Sequence, residues 1–217
     1  MLTPLVRSLI ESQPRPGWFI DVGANLGWYS VSLAASPGVA GVLAIEPEPH
    51  NHQLLQDNVR MNGLDRRIRI ANCAVGRETG TATIHLYRGP NRGRHSIATD
   101  HEGRGSGRIE VPVRRLDDVL AEAGLAEAPI AAIKMDVEGF ESEAIAGGGR
   151  TLRRAGLLAI EINPPLCPGG SEANTAMLDE IEASGLRPHW CDDPDQEPTM
   201  DAIKSRTTAC DVIFRRG

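Results

Sequence analysis

Phe19-Ile20-Asp21-Val22-Gly23-Ala24-Asn25-Leu26-Gly27-Trp28-Tyr29-Ser30 decides how this chain is read. A short apolar run ends in a carboxylate, a turn of Gly, Asn and Gly follows, and a helix-compatible segment begins. Strand, glycine turn and helix start, in that order, are a device for holding nucleotide-like cofactors. Gly23 and Gly27 let the backbone take φ above zero and approach a ligand closely. Asn25 is among the few other residue types that tolerate the left-handed region. The helix that follows offers unpaired N–H groups. The pattern D-x-G-x-N-x-G departs from the G-x-G-x-x-G of dinucleotide folds, so no pyrophosphate cradle is expected. A carboxylate at Asp21 suits a positively charged ligand and opposes a diphosphate.

The totals bound the rest. With 217 residues the chain can bury one good core, and a single domain over 1–217 is expected. Aromatics make up only 4%, which argues against a base-stacking surface for single-stranded nucleic acid. The net charge of -6 argues against a phosphate backbone as partner. No apolar run reaches membrane-spanning length. Met1-Leu2-Thr3-Pro4-Leu5-Val6-Arg7 lacks the apolar core of a secretion signal, so a cytoplasmic location is expected. Cys73, Cys167, Cys191 and Cys210 are scattered with no C-x-x-C pair. Neither a disulfide framework nor a zinc site is expected from them, and no metal is assigned.

Taken in order, a helix begins at Thr3-Pro4, with Leu2, Val6, Leu9 and Ile10 on one face. Strands are expected at 18–22, 41–45, 68–72, 130–135, 157–162, 186–191 and 207–214. Helices are expected at 27–35, 48–61, from Leu116 to Gly124, through Glu143 to Ala146, and at 172–183. One excursion interrupts this rhythm, over about 79–113. Residues 81–87 and 109–113 alternate like the strands of a hairpin arm, and the tip carries Arg88, Arg92, Arg94, Arg104 and Arg108. A lid gripping an anionic substrate and a plain surface loop are both open readings. Residues 192–206 read as a polar loop. The last two strands read as a hairpin at the sheet's edge.

Glu46 ends the second strand roughly 20 residues past the glycine turn, the usual place for a carboxylate that accepts from both ribose hydroxyls. Cys73 and Ala74 follow the third strand, where a loop lies beside the adenine in such sheets. Asp136, Glu138 and Glu141 follow strand 130–135, and Glu161 lies near the end of the next one. Carboxylates gathered at the carboxyl ends of parallel strands belong to a site more often than to a surface. Glu138 and Glu141, three apart, are expected to share a helix face. Lys134 is expected to pair with a carboxylate in a structural role. His50 and His52 do not share a face, so no metal pair is expected there.

These residues resemble the FkbM family of S-adenosylmethionine-dependent methyltransferases. The likeness is carried by Asp21-Val22-Gly23-Ala24-Asn25-Leu26-Gly27-Trp28-Tyr29-Ser30, Ile45-Glu46-Pro47 with Asn58 and Asn62, Ala74-Val75-Gly76, Ser96, Leu116-Asp117, and above all Ile133-Lys134-Met135-Asp136-Val137-Glu138-Gly139-Phe140-Glu141. The resemblance implies an α/β, Rossmann-like class I methyltransferase fold. Its sheet would be seven-stranded and mostly parallel, with the last strand antiparallel and helices on both faces. It implies S-adenosyl-L-methionine as cofactor, with Asp21, Gly23, Asn25 and Gly27 along its methionine part, Glu46 at its ribose and Asp136 beside its methyl group. Tyr29, Ser30, Pro47, Asn72, Cys73 and Ala74 are counted with them as cofactor-binding residues.

The reaction so implied is methyl transfer to a hydroxyl oxygen of a small molecule, in natural-product or saccharide biosynthesis. Asp136 would position the reacting groups, and His95 or Glu161 would act as base. The alternative is N-methylation of a small-molecule amine or a nucleic-acid base. Asn163-Pro164-Pro165-Leu166 resembles the N-P-P-aromatic motif of nucleic-acid amino methyltransferases, but it follows the fifth strand and ends in Leu166. The expected partner is a small-molecule substrate, without nucleic acid or membrane; a homodimer is left open.

Overall fold

The computed structural model describes residues 2–87, 105–193 and 195–217. In chain order the strands are β1 (Gly17–Val22), β2 (Val39–Ile45), β3 (Ile68–Ala71), β4 (Ala74–Val75), β5 (Gly80–Tyr87), β6 (Gly105–Arg114), β7 (Ile130–Met135), β8 (Leu157–Ile162), β9 (Leu186–Cys191) and β10 (Cys210–Arg216). The helices are α1 (Leu2–Glu11), α2 (Trp28–Leu33), α3 (Pro49–Met61), α4 (Leu116–Glu122), α5 (Glu141–Ala146), α6 (Gly149–Leu152), α7 (Gly170–Ala183) and α8 (Met200–Lys204).

Seven strands form the main sheet, in the order β3-β2-β1-β7-β8-β10-β9. The pairs from β3 to β8 are parallel, and β10 runs antiparallel to both β8 and β9. The seven-stranded, mostly parallel sheet with its last strand antiparallel is therefore present. The final hairpin forms as well, but its second strand slots in between β8 and β9, and β9 is the outermost strand.

Successive strand residues point to opposite faces, and this sorts the core into two layers. Ile20, Val22, Leu43, Ile45, Ile133, Met135, Leu158 and Ile160 pack with Leu116, Leu120, Ile145, Leu178 and Ile181 from α4, α5 and α7. Phe19, Val42, Ala44, Ala132 and Ala159 pack on the other side with Val6, Ile10, Leu33, Leu55 and Val59 from α1, α2 and α3. A sheet covered on both faces explains why its strands read as almost continuous apolar runs. The parity also fixes Asp21. It points to the Phe19 face, under α2, where a charge must find partners inside the protein.

The excursion is a second sheet of order β4-β6-β5. Gly80 pairs with Val113 and Leu86 with Gly107 along the antiparallel hairpin, and Ala74 and Val75 pair in parallel with Val113 and Arg114. Ala74, Ile84, Val111 and Val113 make its small core. The segment after β3, expected as a loop, is thus a short strand that fastens the hairpin to the domain. The arginine-rich tip, with Arg88, Arg92, Arg94 and Arg104, and also His95 and Ser96, lies outside the described residues.

Some boundaries shift. The helix expected at 27–35 is the shorter α2, with Gly27 (φ 86) as the residue before its first turn. Within the expected polar loop 192–206, Thr199 accepts from Ala202 N and caps α8, whose Met200 and Ile203 are buried. Glu138 and Glu141 do not share a helix face. Glu138 takes φ 53 in the turn, and α5 begins only at Glu141.

Candidate active site

The turn after β1 is shaped by three left-handed residues, Gly23 (φ 74), Asn25 (φ 52) and Gly27 (φ 86). At Gly23 the requirement is steric as well as conformational. A Cβ there would lie 2.0 Å from the Asp136 carbonyl oxygen. The glycine turn and the end of β7 are therefore in backbone contact.

Asp21 is fully buried beneath this turn. Its Oδ2 accepts from Ser30 N (3.0 Å) and Ser30 Oγ (2.6 Å), so it ties β1 to α2. Its Oδ1 has no hydrogen-bond partner and stands 3.8 Å from Lys134 Nζ. Asp21 and Lys134 are register partners on β1 and β7. Lys134 Nζ donates to Gly23 O (2.9 Å) and lies 3.5 Å from Asp136 Oδ2. Burial opposes the charge on Lys134, yet Asp136 and Asp21 outweigh it and hold the ammonium above the ordinary lysine range. Burial raises the Asp21 carboxyl in spite of Lys134 and Ser30. The lysine expected to be structural is both a tie for the turn and part of the cavity wall.

That cavity has a volume of about 490 Å³. Its walls are the turn from Val22 to Leu26 with Trp28 and Tyr29, the end of β2 from Ile45 to Glu48, Asn51 and Leu54 of α3, residues 73–75, Ile84 of the hairpin, and the end of β7 with Phe140. Of the residues singled out from sequence, Gly23, Asn25, Tyr29, Glu46, Pro47, Cys73, Ala74 and Asp136 line it. Asp21, Gly27, Ser30 and Asn72 do not. Asp21, Gly27 and Ser30 are buried behind the wall, and the exposed Asn72 ties it from outside, its Nδ2 donating to Glu46 O (2.8 Å) and Pro47 O (3.1 Å).

Glu46 is buried with both oxygens directed at backbone N–H groups, Oε2 at Asn25 (2.8 Å) and Oε1 at Glu48 (3.0 Å). Burial pushes its carboxyl up to about 7 against those two bonds. Glu48 Oε2 caps α3 by accepting from Asn51 N (2.7 Å). Asn51 is only 2% exposed, lines the cavity, and its Oδ1 has no hydrogen-bond partner. That amide oxygen is enclosed as well as unpaired, and a buried acceptor in this state calls for a donor. Sequence reading missed it, although the capping glutamate three residues earlier marked its place.

Glu161 does not line this cavity. It lies one strand further on, where ligand oxygens of Asp136, Glu141 and Glu161 come within 4.8 Å of one another. Burial, then Asp136, Glu138 and Asp211, push Glu161 up to about 7. Asp211 is its register partner on β10. Glu141 is committed to the local turn, since its Oε1 accepts from Val137 N (2.9 Å) and Gly139 N (3.2 Å). Among the described residues, Asp136 and Glu161 carry no such backbone commitment in the turn.

The family model described as "Methyltransferase FkbM domain" matches residues 21–188. The chain belongs to the FkbM methyltransferase domain family. Among curated proteins, a 2-O-methyltransferase, NoeI of Sinorhizobium fredii, is 30% identical over 82% of this chain and 76% of its own length. Methyltransferase sdnD of Sordaria araneosa is 26% identical, over 64% of this chain and 62% of its own length, so this FkbM chain spans less than two thirds of that relative. Among solved structures, a candidate tRNA (m1A22) methyltransferase of Streptococcus pneumoniae in complex with S-adenosyl-L-methionine superposes with TM-score 0.54 at 10% identity, covering 100% of this chain and 72% of the other. That likeness shows the fold. Among the described residues no helix is long and apolar enough to cross a membrane.

Proposed function

We propose that the chain binds S-adenosyl-L-methionine in the cavity and transfers its methyl group to a hydroxyl oxygen of a small molecule, of the natural-product or saccharide kind. One observation carries this reading: the left-handed turn at Gly23 and Asn25, the Asp136 strand end and the buried Glu46 carboxylate close around one cavity. The residues fit the group. The cavity offers the Glu46 carboxyl and an excess of carboxylate, Glu46, Glu48, Asp136 and Glu138 against Lys134, which suits hydroxyl and amino donors and a cationic sulfonium. Among the described residues Lys134 is its one basic lining residue, too little for a diphosphate cradle.

When bound, the cofactor supplies an activated methyl group on a positively charged sulfur. The chain's own residues then orient and move protons. Much of the catalysis can come from alignment. Glu46 would accept from the cofactor's ribose hydroxyls. Lys134 fixes the Asp136 carboxylate and the Gly23 carbonyl, and Asp136 positions the acceptor. Glu161, at about 7 and with an oxygen within 4.8 Å of one of Asp136, would take the hydroxyl proton of an acceptor held beside Asp136. NoeI, a 2-O-methyltransferase, supports oxygen as the attacked atom.

Calorimetric titration with S-adenosylhomocysteine tests the cofactor. Binding at micromolar Kd, about -8 kcal/mol, is expected, followed by methyl transfer to hydroxylated acceptors in a radiolabel assay. A folded chain that does not bind it refutes the reading.

A further inference from the structure

A second group of ligating atoms lies at the outer edge of the main sheet, apart from the cavity. Cys191 ends β9 and Cys210 begins β10. In the antiparallel register Cys191 faces Val212, which places Cys210 on the adjacent diagonal and on the same side of the sheet. The chain turns immediately after Cys191, where Asp192 N donates to Asp211 O (3.2 Å). This turn brings the Asp192 carboxylate back, with Oδ1 3.9 Å from Cys191 Sγ. The two thiol sulfurs and a carboxylate oxygen all lie within 4.8 Å of one another. Neither cysteine is in a disulfide.

A third element surrounds the group. Arg206, between α8 and β10, directs Nη1 at Asp193 Oδ2 (2.6 Å) and at Cys191 Sγ (4.0 Å). Its side chain is only 8% exposed, and its Nε has no hydrogen-bond partner.

We propose that Cys191, Cys210 and Asp192 form a binding site for a soft divalent cation of the zinc class. Sulfur pairs select such ions over magnesium or calcium, which take oxygen ligands. In a tetrahedral zinc site the sulfur distance is about 2.3 Å and the carboxylate distance about 2.0–2.2 Å. Two sulfurs across such an ion therefore stand nearly 4 Å apart, or roughly 3.8 Å. The observed spacing needs only small side-chain rotations to reach it, with water as the fourth ligand. Two thiolates and a carboxylate exceed the ion's charge by one negative unit. The Arg206 guanidinium, held in place by Asp193, faces that excess at Cys191.

The site's role follows from its position. It clasps the end of the outermost strand to the start of its neighbour, and the residue after Cys210 is Asp211, the register partner of Glu161. The ion would pin the edge on which Asp211 is carried. This assignment does not depend on the proposed methyl transfer.

The full chain, reduced and stripped with chelator, would be titrated anaerobically with Co²⁺ and followed by the near-ultraviolet sulfur-to-cobalt charge-transfer band. The band should saturate at a single equivalent and vanish when Zn²⁺ is added. Cys191→Ser and Cys210→Ser should each abolish it, while Cys73→Ser and Cys167→Ser leave it unchanged. Arg206→Met should weaken Co²⁺ binding about 10-fold, as loss of an outer-shell partner does. Three results would overturn the proposal: no band with a folded chain, a band that survives Cys191→Ser, or a native mass showing the two thiols joined as a disulfide. Should Cys210→Ser fail to fold, Cys191→Ser at the half-buried strand end decides alone.

Discussion

Lys134→Met is the sharpest perturbation of the site's scaffold. It removes the ammonium held between the buried Asp21 and Asp136, and it leaves Asp21 Oδ1 with neither a hydrogen-bond donor nor a counter-charge. Breaking a buried ion pair by deleting one partner costs about 3–5 kcal/mol. Asp21 can relieve part of that by taking up a proton, because burial already raises its carboxyl. The lower end, about 3 kcal/mol, is therefore expected. In a domain of this size that is a fall in Tm of about 6–12 °C. Calorimetric melts of Lys134→Met, Asp21→Asn and the double variant at pH 7.5 form the assay. Asn needs no counter-charge, so the double variant should be more stable than the sum of the single losses by about 1–3 kcal/mol. Lowering the pH to 5.5 should restore part of the Lys134→Met loss and none of the double variant's. A Lys134→Met melt within about 2 °C of the wild type, or strictly additive variants, would refute the coupling.

Four further outcomes follow from the same geometry. Gly23→Ala places a Cβ 2.0 Å from the Asp136 backbone oxygen at φ 74, so it should lose at least ~2 kcal/mol in denaturant melts and all cofactor binding; unaltered binding would refute the backbone contact. Glu46→Gln keeps the shape but loses an acceptor oxygen, and should weaken S-adenosylhomocysteine about 10-fold or more by calorimetry, since hydrogen bonds to charged groups contribute about 1.5–3 kcal/mol; an unchanged Kd would remove Glu46 from the site. Burial places Glu46, Glu141 and Glu161 at about 7 against an ordinary 4.5, so the folded chain retains protons that the unfolded chain has released; this stability is present below about 4.5 and is lost as pH rises through 7. His52, lowered by burial, opposes this trend as a single group, so Tm should still fall from pH 5.5 to 7.5, less steeply in Glu141→Gln; a Tm rising over that window would contradict it. Glu161→Gln should lower kcat and remove the acid limb of its pH profile near 7, whereas a purely structural Glu161 would leave that limb in place.

How much of this was legible depends on how far each interaction reaches along the chain. The left-handed Asn25 and the flanking glycines were readable because φ is a property of residue type and immediate neighbours. Glu46 was readable by its spacing from the turn. Asp21 was only half readable. Its place before the turn suggested a ligand contact, but strand parity turns it toward α2, and Ser30 and Lys134 receive it there. Glu138 misled because helix spacing was assumed across a residue that takes φ 53. α8 was missed although Thr199 and the Met200–Ile203 pair were present as signals, since loop composition outweighed them. Ile84 reaches the cavity only because β4 fastens the hairpin, and no local pattern encodes that pairing. Cys191 and Cys210 looked scattered for the same reason: strand register, not sequence spacing, brings them together.

The sheet order explains why two motifs far apart in the chain must be read as one. β1 lies between β2 and β7, so the carboxyl ends of all three strands open on the same side. Neighbouring parallel strands stand only about 4.8 Å apart, which leaves no room for a side chain between the Gly23 turn and the Asp136 carbonyl. The same closeness lets one lysine on β7 reach both the Gly23 carbonyl and the Asp21 side chain. The glycine turn and the Lys134–Asp136 strand end therefore constrain each other. A residue other than glycine at 23 would push on β7, and a residue without a long cationic arm at 134 would release the turn. The cavity's shape is a property of this pair of strands, and Glu46 after β2 and Asn51 of α3 line it against that fixed edge.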